Sequence, residues 1–340
     1  MKHTVDLQKY NLRTDLTIEK LEQNKITNSK IKKSKYKDII IETVNINAND
    51  GKIIDKKEGL YTTITFNDTT DSDNRKNLEH VLVRELKQYI NINRDDLVLV
   101  VGLGNILSTP DSLGPKVIDK IMVTNHLYEL NICDSNYQRV AAIAPSVTGK
   151  TGIETFDQIK SIVDKIKPKL VIAIDSLAAS SVSRVNKTIQ ITNTGINPGS
   201  GIGNFRKEIS YETIKIPVIA IGIPTVVDAT SIVFDTLNYM LKKYSFSKNN
   251  INNKKYLLTY NNINYLNKDT KIDTKDKQML LGLVGKLSNE ELKKLIYEVL
   301  SPIGYNLMVT VKEIDFIIDT FATVLGNSIN KIFSSWYCFL

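Results

Sequence analysis

Two aspartates stand where they could share a proton. Asp175 directly follows the apolar run Leu170-Val-Ile-Ala-Ile174, so it is expected at the carboxyl end of a buried strand. Asp111 lies in Gly102-Leu-Gly-Asn-Ile-Leu-Ser-Thr-Pro-Asp-Ser-Leu-Gly-Pro115, a loop expected to leave a second strand at Leu97–Val101 and enter a helix. In a parallel α/β sheet the loops beyond the carboxyl ends of the strands are free to carry functional groups. If these two strands are neighbours, the carboxylates can meet in one site. Two close carboxylates cannot both ionise cheaply, so the pair can hold a single proton. One member then activates water as a base, and the other donates to a carbonyl oxygen or a leaving amine. An aspartate after a strand also serves as a cap or turn former, and residue type by itself leaves both readings open.

Other arrangements of reactive residues are weaker. Gly102-Leu-Gly104 follows a strand, but the dinucleotide fingerprint needs a third small residue where Leu107 stands. Gly149-Lys150-Thr151 ends like a phosphate loop, yet Ala144 occupies the position of the required earlier glycine. Both read as tight turns. Of the histidines, His3 is in a polar arm, and His80 and His126 fall in helical patterns. Ser108, Ser200 and Cys133 therefore have no evident base, which disfavours a serine or cysteine triad. The glycine-rich stretch Thr194-Gly-Ile-Asn-Pro-Gly-Ser-Gly-Ile-Gly-Asn204 could admit a substrate backbone or present amide donors, or could be a plain connector. Asn105, Gly199, Ser200 and Gly201 are the candidate substrate-binding positions.

The elements that must position these groups alternate along the chain. Ile39–Ile46 and Tyr61–Phe66 are β-branched or aromatic runs separated by Asn47, Asn49, Asp50 and Gly51, which predicts an antiparallel pair. A period near 3.6 predicts a helix over about Asn77 to Ile90. Apolar runs at Leu97–Val101, Leu170–Ile174 and Val218–Ile221 alternate with helical patterns at about 113 to 123, 154 to 167 and 228 to 243. This predicts an α/β fold, a mainly parallel sheet with helices on both faces, extended by N-terminal strands and C-terminal helices at about 288 to 299 and 312 to 330. The polar stretch 16–37 is expected to be a peripheral arm on a single domain, 16–340, and the Asn- and Lys-rich stretch 245–275 an excursion from it.

With 340 residues and 42% hydrophobic content, a sizeable core is expected. No apolar stretch reaches the roughly 18 residues of a membrane span and the start lacks a signal-peptide block, so the chain is read as intracellular. Two cysteines, Cys133 and Cys338, are read as reduced and incidental. The formal charge of +8 is spread among Asn and Ile rather than gathered with aromatics. Its richest stretch, Lys25 to Lys37, reads as a solvated face, and no direct nucleic-acid binding is expected.

Several strings closely resemble the spore germination protease family: Val-Val-Gly-Leu-Gly-Asn (100–105), Thr-Pro-Asp-Ser-Leu-Gly-Pro-Lys-Val (109–117), Thr-Gly-Ile-Glu-Thr (151–155) and Ala-Ile-Asp-Ser-Leu-Ala-Ala (173–179). Arg-Val-Asn-Lys-Thr-Ile-Gln-Ile (184–191), Pro-Gly-Ser-Gly-Ile-Gly-Asn (198–204), Ile-Pro-Thr-Val-Val-Asp-Ala (223–229) and Asn-Leu-Met-Val-Thr (306–310) continue the match in order. The resemblance implies an endopeptidase that degrades small acid-soluble spore proteins at germination, freeing the DNA that they coat. It also implies a homotetramer in the cytoplasm of the spore core and a fold similar to hydrogenase maturation proteases. It makes the residues matching Asp111 and Asp175 the catalytic pair. It further implies a zymogen whose propeptide, here residues 1–15, is lost by self-cleavage between Asp15 and Leu16, within Arg13-Thr-Asp-Leu16. The alternative for Thr14 and Asp15 is that they cap the helix beginning near Leu16. Asn193 and Asn197 stand where the family often has Asp and His. The related maturation proteases bind metal through their acidic pair and a histidine; no histidine follows Asp175 here, so water activation with no metal or other cofactor is expected. A metal-dependent peptidase using the same aspartates and a non-catalytic spore-protein or DNA-binding protein are the alternatives.

Overall fold

The computed structural model describes residues 14–24, 26, 31–132, 137–199, 206–252, 270–300 and 307–334. Among them nine strands form one mixed sheet: β1 (Ile31–Tyr36), β2 (Ile39–Ile46), β3 (Gly59–Thr65), β4 (Leu97–Gly102), β5 (Arg139–Ile143), β6 (Leu170–Ala179), β7 (Thr188–Thr192), β8 (Val218–Asp228) and β9 (Met308–Val309). Their order is β1-β2-β3-β7-β8-β6-β4-β5, with β9 on β8. β4 runs parallel to both β5 and β6, which is the predicted parallel centre. The N-terminal strands extend it by antiparallel pairing through β1, β2, β3, β7 and β8.

The continuous apolar runs are explained by burial on both faces. Val98, Val100, Leu170, Ile172 and Ile174 enter one apolar layer with Leu78 and Leu82 of the helix Ser72–Lys87 and Ile318 and Phe321 of the helix Ile314–Phe333. Leu99, Val101, Val171 and Ala173 enter the opposite layer with Ile159 and Val163 of the helix Thr155–Ile166. With side chains alternating from face to face, a strand covered on both sides must be apolar at every position.

Compactness divides the chain into two units. The larger takes in Arg13–Ala179, Ser183–Val226 and Thr310–Leu340. The smaller includes Ser180–Val182 and Val227–Val309. Its core packs Phe234 of the helix Ala229–Asn249 against Leu292 and Ile296 of the helix Asn289–Leu300. Much of the expected excursion at 245–275 lies outside the described residues. No helix among the described residues is long and apolar enough to cross a membrane.

Four readings are corrected. Asp175 lies inside β6, which continues to Ala179, although the ladder with β4 stops at Gly102 opposite Ile174; Asp175 is thus the first residue beyond its neighbour's reach. The stretch 16–37 is no peripheral arm: Leu16, Ile18 and Leu21 are buried, and its lysine-rich end forms β1 on β2. The predicted pair β2–β3 is antiparallel, but a helix, Ala48–Ile54, joins the strands, with Asn47 capping its first amides. The helix expected over 113–123 ends at Ile118.

Candidate active site

The loop after β4 is folded tightly enough to carry Asp111 back to the sheet. Leu103 N–H donates to the Ile174 carbonyl at 2.8 Å, tying the start of the loop to the residue before Asp175. Asn105 N–H donates to the Asp111 carbonyl at 2.9 Å. Between these bonds Gly104 has φ +110, and a Cβ there would lie 2.1 Å from the Asp111 carbonyl oxygen and 3.0 Å from its Oδ1. Only glycine allows the carboxylate turn, Thr109–Asp111, to close over the loop in this way. Thr225 of β8 holds the same turn from the other side, its Oγ1 donating to the Pro110 carbonyl at 2.7 Å. The turn packs against β6, so Asp111 and Asp175 are brought together.

Their electrostatics follow from that placement. Asp175 is 5% exposed, and its Oδ1 accepts from Ser176 N–H at 2.9 Å. Burial first, then the charges of Asp111 and Asp15, push its carboxyl well above the usual carboxylate range. Burial also lifts Asp111 to about 6, opposed by the Asn105 amide and by the charge of Arg206. Burial thus favours the protonated form more strongly at Asp175 than at Asp111, so a proton shared by the pair is held at Asp175 and Asp111 is the first to become a carboxylate. That is the distribution needed by an acid and a base acting on one water.

Arg206 was not singled out by sequence. It donates to Thr148 Oγ1 and lies 3.8 Å from Glu154, so it links the Thr148–Thr155 segment to the charge of Asp111. The one-turn helix Thr148–Thr151, closed by Gly152 in the left-handed conformation, agrees with the tight-turn reading of Gly149-Lys150-Thr151. Of the candidate substrate-binding residues, Asn105 lies at the site, where its amide meets Asp111. Gly199 is a left-handed turn residue at φ 74 for which no bond to the aspartates is seen, and Ser200 and Gly201 lie outside the described residues. His80, in the helix Ser72–Lys87, is exposed and stacks on Tyr36. Among the described residues, no group of three or more His, Cys, Asp or Glu side chains is disposed to hold a metal ion.

A third aspartate joins the pair. Asp15 N–H donates to the Ala178 carbonyl at 3.0 Å, and its Oδ2 accepts from Ala178 N–H at 2.9 Å, so it is stitched to β6 three residues past Asp175. Neither Thr14 nor Asp15 caps the helix Thr17–Gln23; Leu16 is its N-cap residue and makes no side-chain cap bond. Thr14, Asp15 and Leu16 are all buried. Nothing in the local pattern of Arg13-Thr-Asp-Leu16 signals that its partner is a strand more than 160 residues away.

Sequence comparison bears on what such a site does. A family model described as germination protease matches residues 5–335. A germination protease of Priestia megaterium (strain ATCC 12872 / QMB1551) is 43% identical over 353 aligned residues, covering 97% of this chain and 95% of that relative. One of Bacillus cereus (strain AH187) is 42% identical over 350, with the same coverage. A match of this extent spans both aspartate loops and the Asp15 stretch, and we conclude that the chain belongs to the germination protease family and is a peptidase.

Proposed function

We propose that the chain is an endopeptidase that begins the degradation of small acid-soluble spore proteins at germination, and that it is made as a zymogen and activated by self-cleavage between Asp15 and Leu16. The observation that carries this reading is the close pair Asp111, half-buried, and Asp175, buried, with both carboxyls raised and the more enclosed one the better placed to keep a proton. Asp111 takes a proton from water as its oxygen attacks the scissile carbonyl carbon. Asp175 delivers its proton to the leaving amine. The reaction needs no other acid or base, and we assign it no metal. The working form is proposed to be a homotetramer in the cytoplasm of the spore core.

The test is incubation of the purified chain with a small acid-soluble spore protein, beside Asp111→Asn and Asp175→Asn. Each variant is expected to keep its circular dichroism spectrum and lose at least 10²-fold in hydrolysis, the usual worth of a positioned acid or base. Full activity in either variant would remove that residue from the chemistry. Chelation is expected to leave the rate unchanged; loss on chelation with recovery on adding zinc or nickel would favour the metal-dependent alternative.

A further inference from the structure

The carbonyl oxygen of Asp15 belongs to the peptide bond whose cleavage is proposed above, and it is gripped by two side-chain donors. Lys56 Nζ lies 2.9 Å from it and Gln190 Nε2 3.2 Å. Gln190 is itself oriented, because its Oε1 accepts from Thr17 N–H at 2.7 Å, just beyond the bond. The donors thus reach the peptide from elements far apart in sequence: β7 and the segment after the helix Ala48–Ile54. Strand alternation places Gln190 on the face opposite Ile189 and Ile191, which enter the same apolar layer as Ile172 and Ile174; Asp175 faces away from that layer as well. The Lys56 amine is desolvated, which holds its pKa down to about 8 despite the nearby Asp15 and Asp55. A structural lysine gains little from such a place. An amine beside a carbonyl that must become an oxyanion gains a great deal, since fixed donors in a water-poor site stabilise developing charge without reorganising.

We propose that Lys56 and Gln190 form the oxyanion-stabilising pair of this peptidase, in a seat where the Ala178 amide receives the acidic side chain that precedes the scissile bond. The proposal rests on the reading that Asp15–Leu16 is cleaved. When the water oxygen bonds to the Asp15 carbonyl carbon, Asp111 takes one water proton and the carbonyl oxygen becomes anionic between Lys56 and Gln190. The carbon–nitrogen bond to Leu16 then breaks, and the nitrogen takes the proton of Asp175. The new carboxylic acid at Asp15 releases its proton to solvent and remains as a carboxylate against the Lys56 ammonium; the dyad is left with its proton on Asp111, and the proton's return to Asp175 resets the pair.

The experiment uses the full chain and follows self-conversion by intact mass, in wild type, Lys56→Gln, Lys56→Arg, Gln190→Leu and Asp175→Asn, with melting curves for each. Lys56→Gln is expected to slow conversion 10²- to 10³-fold, as loss of an oxyanion donor does. Lys56→Arg is expected to restore most of the rate, which recovery of fold by any uncharged residue would not mimic. Conversion of Lys56→Gln and Gln190→Leu at or above the wild-type rate, with Asp175→Asn inert, would overturn the oxyanion assignment and leave the aspartate pair standing. Conversion of Asp175→Asn at the wild-type rate would instead sink the aspartate mechanism, and a wild-type chain that never loses residues 1–15 would sink both.

Discussion

Asp111 and Asp175 differ in how far water is excluded from them, and the roles proposed for them rest on that difference. The group near 6 ionises first as pH rises, so peptidase activity is expected to climb through about pH 6 as Asp111 becomes a base. It is expected to fall at higher pH, when Asp175 gives up the proton it must donate. The kcat/KM profile should accordingly be bell-shaped, with its two limbs belonging to the coupled pair. Arg206 lowers Asp111 through its charge. Arg206→Ala should therefore move the acid limb to higher pH by more than it moves the alkaline limb, since Arg206 acts on Asp111 directly and on Asp175 only through that pair. A profile in which both limbs move equally, or neither moves, would separate Arg206 from the base. At this scale the sequence showed the carboxylates but not their environment: an aspartate after an apolar run was visible, whereas the arginine whose charge acts on Asp111 and the lysine and glutamine that bind the Asp15 carbonyl sit in strings that look like ordinary polar surface.

The elements explain why some of this was legible and some was not. β4, β6 and the helix Thr155–Ile166 could be recognised because each buries a continuous apolar run or a 3.6-residue period against a large core. β1 could not, because a strand at the edge of the sheet keeps Lys32, Lys33 and Lys35 exposed, and its pairing with β2 comes from backbone bonds that leave no apolar alternation. β6 was read as five residues too short because Asp175 and Ser176 look like a stop signal, yet the backbone continues as a strand and offers Ala178 to Asp15. The turn that carries Asp111 depends on one glycine. Gly104→Ala would set a methyl group 2.1 Å from the Asp111 carbonyl oxygen at a φ of +110, and the turn must shift to admit it. The expected result is a loss of at least about tenfold in kcat, because small displacements of a reacting group are costly, with a lowered melting midpoint. Thr225→Val removes the other tether, the bond to Pro110, and should cost about 1 kcal/mol in stability with a smaller loss of activity. If Gly104→Ala melted lower but hydrolysed substrate at the wild-type rate, the geometry of the turn would not be what positions the base.

Across the larger unit, stability and chemistry pull against each other at the same pair of carboxyls. The core supplies the surplus: Phe321, fully buried in the C-terminal helix, stacks edge-on with Phe66 beneath the sheet, and Phe321→Ala should cost about 3–5 kcal/mol. Against that surplus the protein carries Asp175, enclosed beside two other aspartates. Its folded pKa lies above that of the unfolded chain, roughly 3.9 for an aspartate. In the window between the two values the folded state binds more protons than the unfolded state, so the slope of unfolding free energy against pH is negative there. Stability from this group is thus lost as pH rises from about 4 through the raised folded pKa, and above it the full cost of the buried charge is paid. Asparagine has nearly the same shape and no charge to bury, so Asp175→Asn should melt higher than wild type at pH 8, with the difference shrinking toward pH 4. Differential scanning calorimetry at a series of pH values measures this directly. A variant that melts lower at pH 8 would mean that the ionised side chain is held by stabilising contacts, and such an aspartate would have no reason to keep the proton that catalysis requires.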